Sequence, residues 1–262
     1  MSHPQTSPDQ PTDNHRRQHV WIVLPAYNEE ESLPPLLEGI RSAMAETGFV
    51  HRIIVVNDGS HDRTGEIARE AAKTLPLIVE THEVNQGLGA TIRDGLMKAA
   101  ELAEPDDVIV TMDADNSHVP HLIDRMVRRV REGNDVVIAS RYRDGSRIRG
   151  VSAIRRALSY WGGWLFRIVF PIPGVRDYTC GYRAYRARVM QEAIAEHGVD
   201  FFDQEGFQCM VDILLKLRRK PWIFCEVPMI LRYDFKEGAS KMNVGRTAKN
   251  TLLLIAKRRL GG

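Results

Sequence analysis

The chain predicts an α/β fold, a doubly wound and mostly parallel sheet with helices on both faces. Two observations carry this. Short runs of β-branched and apolar residues alternate with segments whose apolar residues recur at helical spacing, and three of the runs end in polar clusters. Parallel strands buried on both faces read as continuous apolar runs, and their carboxyl ends are where such sheets gather ligand-binding residues. At 262 residues, 43% hydrophobic and 27% charged, the chain is long enough for one large α/β domain or two small ones.

Taken in order, Met1 to His19 is rich in Pro, Gln, Ser, Thr, Asp and His with no apolar period, and reads as a disordered tail. Val20 to Leu24 is the first strand, followed by Ile53 to Val56, Leu77 to Val79, Val108 to Val110 and Val136 to Ile138. Leu33, Leu36, Leu37, Ile40 and Met44 mark a helix after the first strand, and Leu122, Met126 and Val130 another after the fourth. The later half is less regular. Tyr160 to Val175 is apolar and aromatic but broken by Gly162-Gly163, Pro171 and Pro173. A helix is expected near Gly206 to Arg219 and a strand near Ile223 to Leu231. The catalytic domain is drawn as 20–242, with 243–262 a C-terminal amphipathic segment in which Leu252 to Ile255 stand beside Lys257, Arg258 and Arg259.

Composition excludes several classes. With 36 Lys and Arg against 34 Asp and Glu, the net charge of +2 gives no electrostatic reason to expect a nucleic-acid partner. Cys180, Cys209 and Cys225 are widely spaced and form no CxxC pair, which argues against a zinc site or disulfide framework and suits a reducing, cytoplasmic compartment. No apolar run approaches the roughly 20 residues that cross a bilayer.

The three clusters carry the chemistry. Pro25-Ala26-Tyr27-Asn28-Glu29-Glu30 follows the first strand, Asn57-Asp58-Gly59-Ser60 the second, and Asp113-Ala114-Asp115 the fourth. Two carboxylates two residues apart at a strand end suit a hard divalent cation that holds a diphosphate. Taken alone, such a pair reads equally as turn or cap carboxylates. Asn85 to Ala90 contains Gly87 and Gly89, but a dinucleotide fingerprint needs a further glycine where Ile92 stands, so a dehydrogenase is excluded and a simple strand-to-helix turn stays open. Six arginines between Arg141 and Arg156 precede the aromatic run at Tyr160, Trp161, Trp164 and Phe166. That pairing suits a lipid phosphate at a membrane surface, or equally a solvated face beside a core helix.

In order and spacing, the chain resembles glycosyltransferase family 2, and within it the dolichol-phosphate (polyprenol-phosphate) mannose synthases. The resemblance rests on Pro25 to Glu29, Asp58-Gly59-Ser60 with Asp62 and Thr64, and Asn85 to Ala90. It continues through Asp113-Ala114-Asp115 with His118, Ser140-Arg141-Tyr142, Gly181 to Tyr185 and Gly238 to Lys241. It implies a GT-A fold and an inverting transfer of mannose from GDP-mannose to a polyprenyl or dolichyl phosphate. Pro25, Tyr27, Glu29, Asp58, Gly87, Arg232 and Lys241 would bind the donor. Asp113 and Asp115, with Ser117, would hold Mg²⁺ or Mn²⁺, and Arg141, Arg155 and Ser159 the acceptor phosphate. Asp212 matches the position that serves as base in hydroxyl-transferring relatives and is expected here as a donor-sugar contact. The synthases usually carry Gln where this chain has Ser117, a weaker ligand. Such an enzyme would meet the cytoplasmic face of a membrane peripherally. The alternatives are a UDP-sugar donor or hydroxyl acceptor, a non-catalytic nucleotide-sugar-binding module, and a sugar nucleotidyltransferase. The last usually opens on a Gly-rich, Arg-containing loop, and Pro25 to Glu30 has no such pattern.

Overall fold

The structure, a computed structural model, describes residues 18–150, 163, 165–206 and 208–232. Its centre is a seven-stranded sheet built from β1 (Val20–Ala26), β2 (His51–Asp58), β3 (Leu77–His82), β4 (Val108–Thr111), β5 (Val136–Ser140), β7 (Arg183–Arg186) and β8 (Phe224–Pro228). The strand order is β3-β2-β1-β4-β7-β5-β8. All pairings are parallel except those of β7, which runs antiparallel to β4 and β5. Every residue of β4 and β5 is buried, as their unbroken apolar runs require, whereas the edge strand β3 buries only Leu77.

Helices cover both faces. α1 (Leu33–Thr47) touches α2 (Thr64–Ala71) and α4 (Leu122–Arg131), while α3 (Leu88–Leu102) packs with α5 (Ala187–His197) and α6 (Gln208–Leu217). Sequence spacing explains α1. Leu33, Leu36, Leu37, Ile40, Ala43 and Met44 form one buried stripe, proline occupies the first turn, and Gly48 ends the helix in the left-handed conformation at φ 67°. Burying each large side chain of this kind stabilises the fold by about 1.5–3 kcal/mol.

Two expectations need correction, and one central strand was not foreseen. The strand expected over Ile223 to Leu231 is two: β8 stays in the main sheet, and β9 (Ile230–Arg232) leaves it beyond Pro228 to pair with β6 (Arg147–Arg149). β7, whose residues belong to the Gly181 to Tyr185 motif, is a central strand. Gln18 and His19, assigned to the tail, are docked instead. The His19 N–H donates to Asp107 Oδ1 at 2.8 Å, and Arg131 donates to Gln18 Oε1 at 2.7 Å. The rest of the tail lies outside the described residues, as does the C-terminal segment 243–262.

β1 pairs with β2 on one side and β4 on the other, so the chain reverses its direction of winding between β1 and β4. Open α/β sheets bind ligands in the crevice above such a switch point. Both Tyr27 and Asp113 lie just beyond it.

Candidate active site

The loops leaving β1 and β2 are laced together by their own polar side chains. The Asn28 N–H donates to Ser60 Oγ (3.0 Å), the Glu29 N–H to Thr64 Oγ1 (2.7 Å) and the Glu30 N–H to Asp62 Oδ2 (3.1 Å). In return, the His61 N–H donates to Asn28 Oδ1 at 2.9 Å. Asn28 adopts φ 51°, a left-handed conformation that asparagine tolerates better than most residues. Pro25, Tyr27 and Glu29 are thereby held half-buried at the rim.

Asp58, at the end of β2, is buried beneath them. Its Oδ1 accepts from the Gln86 N–H at 2.8 Å and its Oδ2 from the Gly87 N–H at 2.9 Å. His82 Nδ1 lies 2.7 Å from Oδ1. The Gly87 N–H, expected at the donor, is thus engaged by Asp58. Gly89 has a packing reason. Its N–H donates to the Glu205 carbonyl at 2.9 Å, and a Cβ there would lie 2.0 Å from the Gln204 carbonyl oxygen. These two glycines let the loop before α6 lie on the first turn of α3, which supports the turn reading left open by the sequence.

Beyond β4 the acidic pair divides into two environments. The Asp113 side chain is 40% exposed, whereas Asp115 is 7% exposed and accepts from the Ser117 N–H at 3.1 Å. The Asp113 N–H donates to His118 Nδ1 (3.2 Å), and the His118 ring stacks on Tyr182 with centroids 4.9 Å apart. Gly181 faces Asp113, where a Cβ would lie 3.3 Å from Oδ1. Thr111 Oγ1 donates to the Gly181 carbonyl at 2.7 Å, so the segment entering β7 buttresses the end of β4. The Arg232 N–H donates to the Ser117 carbonyl at 2.9 Å, which sets β9 beside the same loop. Among the described residues no group of three or more His, Cys, Asp or Glu can hold a metal. The exposed Asp113 carboxylate and the buried Asp115 beside it supply oxygen donors of the kind a hard cation takes, and such a cation would draw its remaining ligands from water and a bound diphosphate.

Arg141, just past β5, is gripped from within. Its Nε and Nη2 donate to Asp177 Oδ2 and Oδ1 at 2.8 and 2.7 Å, its own N–H also donates to Oδ2 at 3.0 Å, and Nη2 reaches Thr179 Oγ1. Burial would push the Asp177 carboxyl up, but the Arg141 guanidinium outweighs it and holds the group below the usual carboxylate range. Burial works against the Arg141 charge in the same way, and Asp177 overcomes it, raising the guanidinium above its ordinary value. Asp212, expected beside the donor sugar, is 1% exposed on α6 with Lys216 Nζ 2.8 Å from Oδ2. Arg155, Ser159 and Lys241 fall outside the described residues, as do Tyr160 to Gly162 and Trp164. His82 and Asp177 were missed by sequence reasoning, because neither stands in a motif.

Residues 21–194 match Glycosyl transferase family 2. The polyprenol monophosphomannose synthase of Mycolicibacterium smegmatis is 32% identical over 242 residues, covering 92% of this chain and 86% of that one. The undecaprenyl-phosphate mannosyltransferase of Micrococcus luteus is 33% identical over 227 residues, 86% of this chain and 88% of its own. The dolichol-phosphate mannosyltransferase of Pyrococcus furiosus is 32% identical over 75% of this chain, which spans 52% of that relative. Among solved structures, glucosyl-3-phosphoglycerate synthase from Mycobacterium tuberculosis, in complex with Mn²⁺, UDP and phosphoglyceric acid, superposes with a TM-score of 0.62 at 20% identity. The match covers 93% of this chain and 78% of that one. This likeness bears out the mostly parallel α/β fold with helices on both faces. With a family match across residues 21–194 and relatives 32–33% identical over 86–92% of the chain, the protein belongs to glycosyl transferase family 2.

Proposed function

We propose that the chain transfers mannose from GDP-mannose to a polyprenyl phosphate with inversion at the anomeric carbon. The observation that carries this reading is full-length similarity to two enzymes named for mannose transfer to a polyprenyl phosphate, each 32–33% identical over 86–92% of this chain. The cleft geometry supports it. Pro25, Tyr27, Glu29 and Asp58 would line the donor side, with Gly87 shaping the turn behind Asp58; Arg232, together with Lys241 outside the described residues, would neutralise diphosphate charge. Asp113 and Asp115, with Ser117, would hold Mg²⁺ or Mn²⁺, which when bound stabilises negative charge on the departing nucleotide.

On the acceptor side, Arg141, Arg155 and Ser159 hold the lipid phosphate. Asp177 and Thr179 engage Arg141 through Nε and Nη2, which fixes the plane of the guanidinium and leaves Nη1 to face a phosphate oxygen. A phosphate monoester carries about 1.5–2 negative charges at neutral pH and attacks the anomeric carbon without a general base. The new bond forms between phosphate oxygen and the anomeric carbon as the bond to the nucleotide diphosphate breaks on the opposite face. Asp212, whose carboxylate is balanced by Lys216, then needs no proton-transfer role and stays in this reading a donor-sugar contact. None of the helices among the described residues is long and apolar enough to cross a membrane. A lipid acceptor resides in a membrane, and in this reading the chain meets it peripherally at the cytoplasmic face.

The test is transfer of radiolabelled sugar to polyprenyl phosphate from GDP-mannose and from a panel of UDP-sugars, with Mn²⁺. Product from GDP-mannose alone is expected. Transfer to a hydroxyl acceptor with none to polyprenyl phosphate would sink the proposal.

A further inference from the structure

We infer that His82 is a positioning residue for the nucleotide donor, fixing the Asp58 carboxylate and, through it, the turn that opens α3; this rests on the donor reading above. His82 ends the edge strand β3, in register with Asp58 on β2. Its Nδ1 lies 2.7 Å from Asp58 Oδ1, and its Nε2 lies 2.9 Å from Asp94 Oδ2 on α3. An imidazole with a carboxylate oxygen on each side has one ring orientation that keeps both contacts. The side chain is 10% exposed, so water offers little in exchange.

The Asp58 carboxylate is the element this ring controls. Three nitrogens converge on it: His82 Nδ1 and the N–H groups of Gln86 and Gly87. A carboxylate offers about four acceptor directions, so roughly one remains for a ligand donor, and the rotation of the group decides where that one points. The Gln86 N–H and His82 Nδ1 share Oδ1, and the Gly87 N–H takes Oδ2, so the ring is the one side chain of the three that fixes the rotation of the group. The turn itself needs this hold, because Gly87 sits at φ 87° as it leads into α3.

Asp94 closes the loop. It is gripped by Arg93 through Nε at 2.6 Å and Nη2 at 2.9 Å, which anchors the far end of the network on the surface of α3. The path from Asp58 through Gly87 and α3 to Asp94, and back through His82, is continuous. It ties β2, β3 and α3 together directly behind the donor side. The Asp94 side chain is 32% exposed, so it can be altered without opening the core.

The experiment uses the full chain and measures GDP and UDP affinity with Mn²⁺, the donor and acceptor KM values, and Tm. His82→Ala is expected to weaken nucleotide binding and raise donor KM by about tenfold, as for loss of a charge-assisted hydrogen bond, with acceptor KM little moved and kcat falling by less than KM rises. Asp94→Asn should shift donor KM the same way by about threefold, and the double variant should fall short of the product of the two because both act through one ring. If both variants lower Tm but leave nucleotide affinity unchanged well below melting, the network is structural only and the inference is overturned. Weakened nucleotide binding in a chain that transfers no sugar to polyprenyl phosphate would remove the acceptor reading and keep this one. No binding of GDP or UDP by the unmutated chain would remove the donor reading and this inference with it.

Discussion

The two halves of the cleft are held in place by different means. On the side proposed for the donor, the loops after β1, β2 and β4 are pinned by hydrogen bonds between backbone amides and short polar side chains, as from Asn28 to Ser60 and from Ser117 to Asp115. On the side proposed for the acceptor, Arg141 depends on one buried ion pair with Asp177, 36 residues away in sequence. Many separate contacts distribute the cost of losing any one, whereas a single buried pair concentrates it, since removing one partner strands the other charge. Substitutions should therefore act locally on the donor side and globally on the acceptor side.

The largest expected effect is on turnover at the acidic pair. Asp115→Asn retains an oxygen to accept from the Ser117 N–H and removes the charge, so kcat should fall by about three orders of magnitude with Tm little changed. Undiminished turnover at limiting Mn²⁺ would dissolve the distinction between the halves. Next comes Arg141→Met, which should lower acceptor kcat/KM by about tenfold to a hundredfold and also destabilise by about 3–5 kcal/mol, because Asp177 is left buried and unpaired. Adding Asp177→Asn should restore much of the Tm and none of the acceptor affinity. Recovery of both, read in acceptor kinetics and thermal melts, would mean that Arg141 serves the fold alone.

Gly89→Ala tests the seam between α3 and the loop before α6. Its Cβ meets the backbone of Gln204 and Glu205, which cannot swing away as a side chain can, so a loss of about 1–3 kcal/mol is expected in urea unfolding. The smallest effect concerns Glu226. Burial pushes its carboxyl up, the nearby Asp177 charge adding to this, and Oε2 has no hydrogen-bond partner. A raised folded-state value means that the folded chain binds the proton more tightly than the unfolded one. Stability is then lost as pH rises from the ordinary carboxylate range through the raised value. Glu226→Gln should raise Tm by about 2 °C at pH 7 and by nothing below pH ~4. An equal gain at both pH values would place its origin elsewhere.

Much of this was legible in the sequence where local chemistry decides structure. Continuous apolar runs announced β1, β2, β4 and β5, and the clusters at their ends announced the cleft, because strand ends are where a parallel sheet exposes its polar residues. The missing parts depend on partners distant in the chain. Arg183 to Arg186 is four residues, two of them arginine, and reads as a strand only once β4 and β5 stand on either side. His82 looks like any polar residue closing an edge strand until Asp58 and Asp94 converge on it. Asp177 gave no sign of burial, since a lone aspartate between Arg176 and Tyr178 suggests a solvated loop.

The antiparallel direction of β7 has an evolutionary corollary. In a wholly parallel sheet, a stretch that leaves one strand at the catalytic rim must cross to the opposite rim before the next strand begins. Here the chain departs β5 at Ser140 and rejoins the sheet at Arg183 on the same rim, with β5 and β7 directly paired. Residues 141–182 are thus a cassette whose two attachment points are adjacent and rigid. Its length can change without altering the registry of the seven-stranded sheet, although β6, which pairs with β9, lies within the cassette. A fold wired this way can retain one donor platform while exchanging the segment that meets the second substrate. Grafting such segments between relatives, with the joins at Ser140 and Arg183, is the engineering route that the wiring offers.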